Sequence, residues 1–120
     1  MDGPYLVISD RKKDVIITGG ENVSSIEVED AISLHPGVAE VAVIGVPDEK
    51  WGELVLALVV LRDTALTPEE IIAHCREHLA GYKCPKRIDF VDVLPRTATG
   101  KVQKFKLREP YWAEQDRQVH

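Results

Sequence analysis

Along the 120-residue chain, short apolar runs rich in β-branched residues alternate with segments of helical spacing. Val15 to Ile17 is such a run, preceded by the mixed-charge cluster Asp10 to Asp14 and closed by Gly19 and Gly20. A charged turn, a short strand and a Gly-Gly loop are expected in that order. Ser24 then stands three residues before Glu27, the spacing of a capping box, which predicts a helix start. Ile26, Ala31 and Ile32, with Leu34 just beyond, are the expected buried stripe of that helix, and Glu27, Glu29 and Asp30 are expected to face water near its positive end. Val38 to Val46 and Leu54 to Leu61 have strand length and are joined by PDEKWGE. Thr67, Pro68 and Glu70 supply a second helix start, with Pro at the first helical position, and that helix should run to about Ala80 and stop at Gly81. Ile88 to Val91 predicts one more short strand. Val102, Phe105 and Leu107 predict a short closing helix or turn, and the polar stretch from Trp112 onward reads as a loosely held tail.

Strands interleaved with two good helices predict a small α+β domain: a mixed β-sheet with helices packed over one side. Such a fold does not name a function, which has to come from the sites. The 44% hydrophobic content is enough for one modest core and too little for a second domain. No stretch approaches the roughly 20 apolar residues of a membrane span, and no charged-then-apolar leader is present, so a soluble, cytoplasmic domain is expected. Met1-Asp2 opens in what reads as mid-protein sequence.

Two cysteines, Cys75 and Cys84, give no disulfide framework, and an intracellular setting would keep them reduced. Cys75 with His74 and His78 lacks a second ligand pair of zinc spacing, so no metal site is expected. The net charge of −5 conceals an asymmetry: Lys83 to Arg108 holds eight Lys or Arg against two Asp, about +6, on a body of about −11. A basic third can be a solvated face or a surface for a polyphosphate ligand. Nucleic acid is disfavoured by the acidic whole and by the few aromatics among the charges.

The stretch with most chemistry is PRTATGK, Pro95 to Lys101. It is not a P-loop, because Pro95 stands where that loop needs its first Gly and Val102 where it needs a hydroxyl. What is left is a loop in which Gly100 permits a tight turn and Lys101 carries a charge on a long stem. By itself a Gly-Lys pair is an ordinary solvated lysine; context must decide.

That context is DRKKDVIITGGENVSSIEVE, from Asp10 to Glu29. Together with PRTATGK, HPGVAEVAVIGVPDEKWGE and YKCPKRIDFVDVLP, it resembles the C-terminal domain of the adenylate-forming enzymes, the superfamily of acyl-CoA synthetases, peptide-synthetase adenylation domains and luciferase. The likeness runs from about Asp2 to Tyr111 and is closest to fatty acyl-CoA synthetases. It implies the small mobile lid of an ATP-dependent fatty acid–CoA ligase, with residues 1–14 as an N-terminal strand and hinge, 15–111 as the lid and 112–120 as the tail.

The resemblance also implies a division of labour. ATP and a carboxylic acid, expected to be fatty, form an acyl-adenylate, and the thiol of coenzyme A then takes the acyl group. Lys101 matches the family's catalytic lysine, which bridges carboxylate and phosphate oxygens and need only remain protonated. Lys13 matches the hinge about which the domain rotates between the two steps, and Arg11 a nucleotide contact. Gly19, Gly20 and Glu21 are implied to reach the active site in the thioester-forming state, with Gly20 lining the pantetheine tunnel. Arg76, Lys83 and Lys86 are implied contacts to coenzyme A phosphates. Trp51 is read as a packing anchor. The large N-terminal domain, which would bring the phosphate loop, the acyl pocket and Mg2+, is the implied partner, and without it this chain is expected to be inactive. Two other readings stay open: the lid of a carrier-protein-loading adenylation domain, and a non-catalytic module that binds nucleotides or a partner domain.

Overall fold

The computed structural model describes residues 14–119, with side chains through Ala113. Arg11 and Lys13 lie outside the described residues.

Two hairpins organise the domain. The first pairs β1 (Val15–Thr18) with β2 (Glu21–Ser24), from Val15↔Ser24 to Thr18↔Glu21. Its loop is Gly19-Gly20, with φ of 59° and 84°, the pair of left-handed residues that a two-residue turn requires if it is to match the twist of the strands. The second pairs β3 (Val38–Asp48) with β4 (Gly52–Leu61) over almost their full length. β1 joins β4 at Thr18↔Gly52 and then diverges. Farther along the same edge, β5 (Arg87–Phe90) pairs with β4 in parallel, from Leu56↔Arg87 to Val59↔Phe90.

Three helices complete the domain: α1 (Ser25–Ser33), α2 (Pro68–His78) and α3 (Lys104–Val119), with a 3-10 turn at Gly81–Lys83. They cover both faces of the sheet, not one. Val43, Val55, Ala57 and Val59 pack with Val28, Ile32, Ile71 and Cys75 of α1 and α2. Ala42, Ile44, Leu56 and Leu58 pack with Leu94 and, from α3, Leu107 and Tyr111. The unbroken apolar run LVLALVVL has this cause, because a strand covered on both faces loses its polar alternation.

The buried face of α1 is Ser25, Val28, Ala31 and Ile32; Ile26 and Leu34 are exposed. Its cap is half a box. Ser24 Oγ accepts from Glu27 N at 3.3 Å, while the Glu27 carboxylate goes to Lys83 Nζ at 3.0 Å. Glu29 is also not a water-facing residue, since it is half-buried and accepts from Val43 N at 2.8 Å. On α2 the box is complete: Thr67 Oγ1 accepts from Glu70 N at 3.2 Å, and Glu70 Oε1 accepts from Thr67 N at 3.3 Å.

The closing helix is longer than the sequence pattern predicts, and the stretch from Trp112 continues it to Val119. Two side chains fasten it to the sheet. Trp112 Nε1 donates to Gly45 O at 3.0 Å, and Tyr111 Oη donates to Asp89 at 3.0 Å. Among the described residues, no helix is long and apolar enough to cross a membrane. Cys75 and Cys84 are buried free thiols. Burial, with a smaller contribution from Cys84, pushes Cys75 up to about 11.

Candidate functional site

Lys101 stands on a small hairpin closed by an antiparallel bridge between Arg96 and Val102 and by Gln103 N donating to Pro95 O at 2.8 Å. At its tip Thr97 N donates to Lys101 O at 2.8 Å, Gly100 N donates to Thr97 O at 2.9 Å, and Lys101 N donates to Thr97 Oγ1 at 3.2 Å. Gly100 has φ of 91°, so the turn rests on a residue without Cβ. Thr97 therefore grips both backbone groups of Lys101, and the loop is internally bonded instead of slack. Its ends are tied to the body by two cations. Arg96 pairs with Glu40 of β3 and donates to Gly100 O at 2.7 Å. Lys104, the first residue of α3, contacts Glu29 at 2.7 Å, Asp14 at 3.2 Å and Ser25 Oγ at 3.1 Å.

Asp14, Glu29, Thr97, Lys101, Lys104 and Arg108 share a depression of about 410 Å3, with Ile26 and Phe105 as its apolar margin. Ile26 and Phe105 are each about half exposed there.

The glycine hairpin lies at the other end of β1. Gly19 lies five positions after Asp14, which at strand rise is about 16 Å. Gly19 N donates to Trp51 O at 2.8 Å, and a Cβ on Gly19 would stand 2.7 Å from the Trp51 ring. Lys86 Nζ lies 4.6 Å and Lys50 Nζ 5.2 Å from the centre of that ring, so the indole is both a packing anchor and a cation platform. Gly20 has open space around it, and Glu21, the next residue, is exposed. Arg76 and Lys86 both bear on the Cys84 thiol, where burial outweighs them and raises its pKa. Lys83 is held by Glu27, whose hydrogen bond raises the lysine pKa.

The structure thus brings Gly19 and Lys86 against Trp51, with Gly20 and Glu21 next in the same turn, and keeps Lys101 apart. Sequence reasoning missed the Asp14–Glu29–Lys104 cluster. The available signal was a lysine at the first position of a helix, where the dipole disfavours a cation. No cluster of three or more His, Cys, Asp or Glu suited to a metal occurs among the described residues.

One small α+β domain thus carries a lysine hairpin beside one end of β1 and a glycine turn at the other. The chain belongs to the AMP-binding enzyme C-terminal domain family, whose model matches residues 27–101 and so ends on Lys101. It is 51% identical over 112 residues to the long-chain-fatty-acid–CoA ligase FadD13 of Mycobacterium tuberculosis, covering 93% of this chain and 22% of that protein. It is 50% identical over 106 residues to the peroxisomal trans-cinnamate:CoA ligase of Petunia hybrida, covering 88% of this chain and 19% of that protein. The ATP-bound crystal structure of MatB from Rhodopseudomonas palustris matches with a TM-score of 0.79 at 46% identity, over 83% of this chain and 20% of that one. The chain spans about a fifth of the length of the curated relatives it matches.

Proposed function

We propose that this chain is the mobile C-terminal lid of an ATP-dependent, AMP-forming acyl-CoA synthetase, acting on a fatty or related carboxylic acid together with a large N-terminal domain. The observation that carries the reading is Lys101 on its self-bonded hairpin, inside the matched family region. In the first half-reaction the acid's carboxylate attacks the α-phosphate of ATP, so two anions must meet while charge grows on the phosphorus oxygens and on departing pyrophosphate. A fixed ammonium group beside those oxygens lowers that barrier by electrostatic stabilisation and by positioning. Loop rigidity serves this role, because an oriented charge needs no reorganisation as the reaction proceeds.

In the second half-reaction the thiol of coenzyme A attacks the acyl carbon and AMP leaves. Rotation about Lys13 would present the glycine hairpin, with Gly20 beside the pantetheine arm and Glu21 at its edge. Arg76, Lys83 and Lys86 form the basic surface for the nucleotide phosphates, and Arg11 a contact to the adenylate. Open space at Gly20 supports this role, since a narrow thiol-bearing arm can pass only where no side chain projects. Coenzyme A is favoured over a carrier protein by the ligases among the relatives. The acid stays open, because those same relatives are named for acids as different as long-chain fatty acids and cinnamate. A cytoplasmic setting accords with the two reduced thiols.

The test uses the full-length ligase that carries this segment. Lys101→Ala should lower acyl-adenylate formation by about a hundredfold, as for loss of a transition-state charge contact. Thioester formation from supplied acyl-adenylate and coenzyme A should stay near wild type. Unchanged rates in both assays would reject the reading.

A further inference from the structure

We infer that Lys104 is a positioning residue: clamped between Asp14 and Glu29, it fixes the Lys101 hairpin against the start of β1. The inference rests on the proposed role of Lys101 in acyl-adenylate formation.

Lys104 opens α3 and so places an ammonium group at the positive end of a helix, where a cation is disfavoured. A sequence that breaks a local rule in this way needs a compensating gain elsewhere. Here the gain is visible. Nζ lies 2.7 Å from Glu29 of α1 and 3.2 Å from Asp14, and Ser25 Oγ is 3.1 Å away. The lysine side chain is 16% exposed, Glu29 19% and Asp14 26%, so the triad is well shielded from screening by solvent.

Each acidic residue is itself built in. Glu29 also accepts from Val43 N at 2.8 Å, and so links α1 to the central strand. The Asp14 carbonyl accepts from Ser25 N at 2.8 Å, which fixes the start of β1 to the start of α1. Lys104 is therefore the point at which three elements meet three residues after Lys101. One residue beyond Lys101, Val102 closes the hairpin, and Gln103 bonds back to Pro95. Any shift of Lys104 is transmitted through these bonds to the tip. Without the lysine, two half-buried carboxylates would lose the cation they share, and like charges held close repel.

The full-length ligase is compared with its Lys104→Met, Lys104→Arg and Lys101→Ala variants. Hydrogen exchange at the amides of Thr97, Gly100, Lys101 and Gln103 is the readout that does not depend on activity. Lys104→Met should accelerate exchange there by at least about tenfold while leaving the β3–β4 amides protected. It should also lower the kcat of adenylate formation by about 10- to 100-fold, the cost of a small misplacement of a catalytic group. KM for ATP and the thioester step from supplied acyl-adenylate should stay within about threefold of wild type, and Lys104→Arg should recover most of the rate. Unchanged exchange in Lys104→Met overturns the clamp whatever the rates. So does equal loss of both half-reactions with general deprotection, which marks a merely structural lysine. If Lys101→Ala leaves adenylate formation intact, the adenylation reading fails, while the exchange data still decide the clamp.

Discussion

Gly45 should tolerate alanine only when Glu53 is absent. It lies in β3 opposite Val55, is buried and does not have positive φ, so its backbone would accept a side chain. Space is the obstacle. A Cβ there would stand 2.3 Å from Glu53 Oε1 and 3.1 Å from Ile16 Cγ2. Glu53 Oε2 accepts from Ile17 N at 3.1 Å, which fills the place of a ladder bond where β1 has parted from β4. Alanine must push this carboxylate aside, and a hydrogen bond to a charged group contributes about 1.5–3 kcal/mol net. Reduced freedom of the unfolded chain returns about 0.4–1 kcal/mol. Gly45→Ala should then cost about 1–2 kcal/mol in the wild-type background. In the Glu53→Ala background the bond is already lost and only Ile16 is crowded, so the same change should be close to neutral. Urea denaturation of the four chains gives the coupling energy directly, expected at about 1–2 kcal/mol. Equal costs in both backgrounds, within about 0.5 kcal/mol, would refute this account of the glycine.

Two further outcomes are expected. Unfolding free energy should fall as pH rises from about 9 towards 11, because the Cys75 thiol ionises near 9.0 when unfolded and only at about 11 when folded. The unfolded state then releases its proton first, a loss on the order of 2–3 kcal/mol from Cys75 that Cys75→Ala should remove in a pH series of urea titrations, leaving the fall due to Cys84 and Lys83. Gly20→Ala meets no neighbour but keeps φ of 84°, so it should cost about 1–2 kcal/mol of stability and, in the full-length ligase, slow thioester formation while sparing adenylate formation. Equal slowing of both steps would remove Gly20 from the coenzyme A path.

Much of the frame is legible because it rests on local chemistry. Gly19-Gly20 after a β-branched run, and Thr67-Pro68 with Glu70, each specify a turn or a cap with few neighbours involved. The face of α1 was less legible. Ile26 is the largest apolar residue near the helix start, yet it shares its side with Asp30 and Ser33, one and two turns on, while Val28 and Ile32 share the other. The extent of α3 was hidden by Pro110 inside it and by the charged residues that follow Trp112. Its anchors, Trp112 to Gly45 and Tyr111 to Asp89, are tertiary and leave no periodic trace. Lys101 stood out through its motif, whereas the partner of Lys104 at Asp14 is 90 residues away, a separation that a local pattern cannot carry.

Geometry ties the two proposed half-reactions to motion. Lys101 shares a depression with Asp14 at one end of β1, while Gly20 turns at the other, about 16 Å along the strand. Reacting atoms need contact within about 3–3.5 Å, so one placement of the domain cannot bring both surfaces to the same acyl carbon. Bending the domain internally is no solution, because the β1–β2 ladder, the Asp14–Ser25 bond and the Lys104 clamp hold that end as one piece. What can change is the angle at which the piece is presented, and the proposed pivot, Lys13, directly precedes Asp14 in the sequence. A stiff lid on a short polar pivot is therefore what the two-step reading requires, and stiffness at Asp14 is what would turn a local change at Lys13 into exchange of the lysine hairpin for the glycine one.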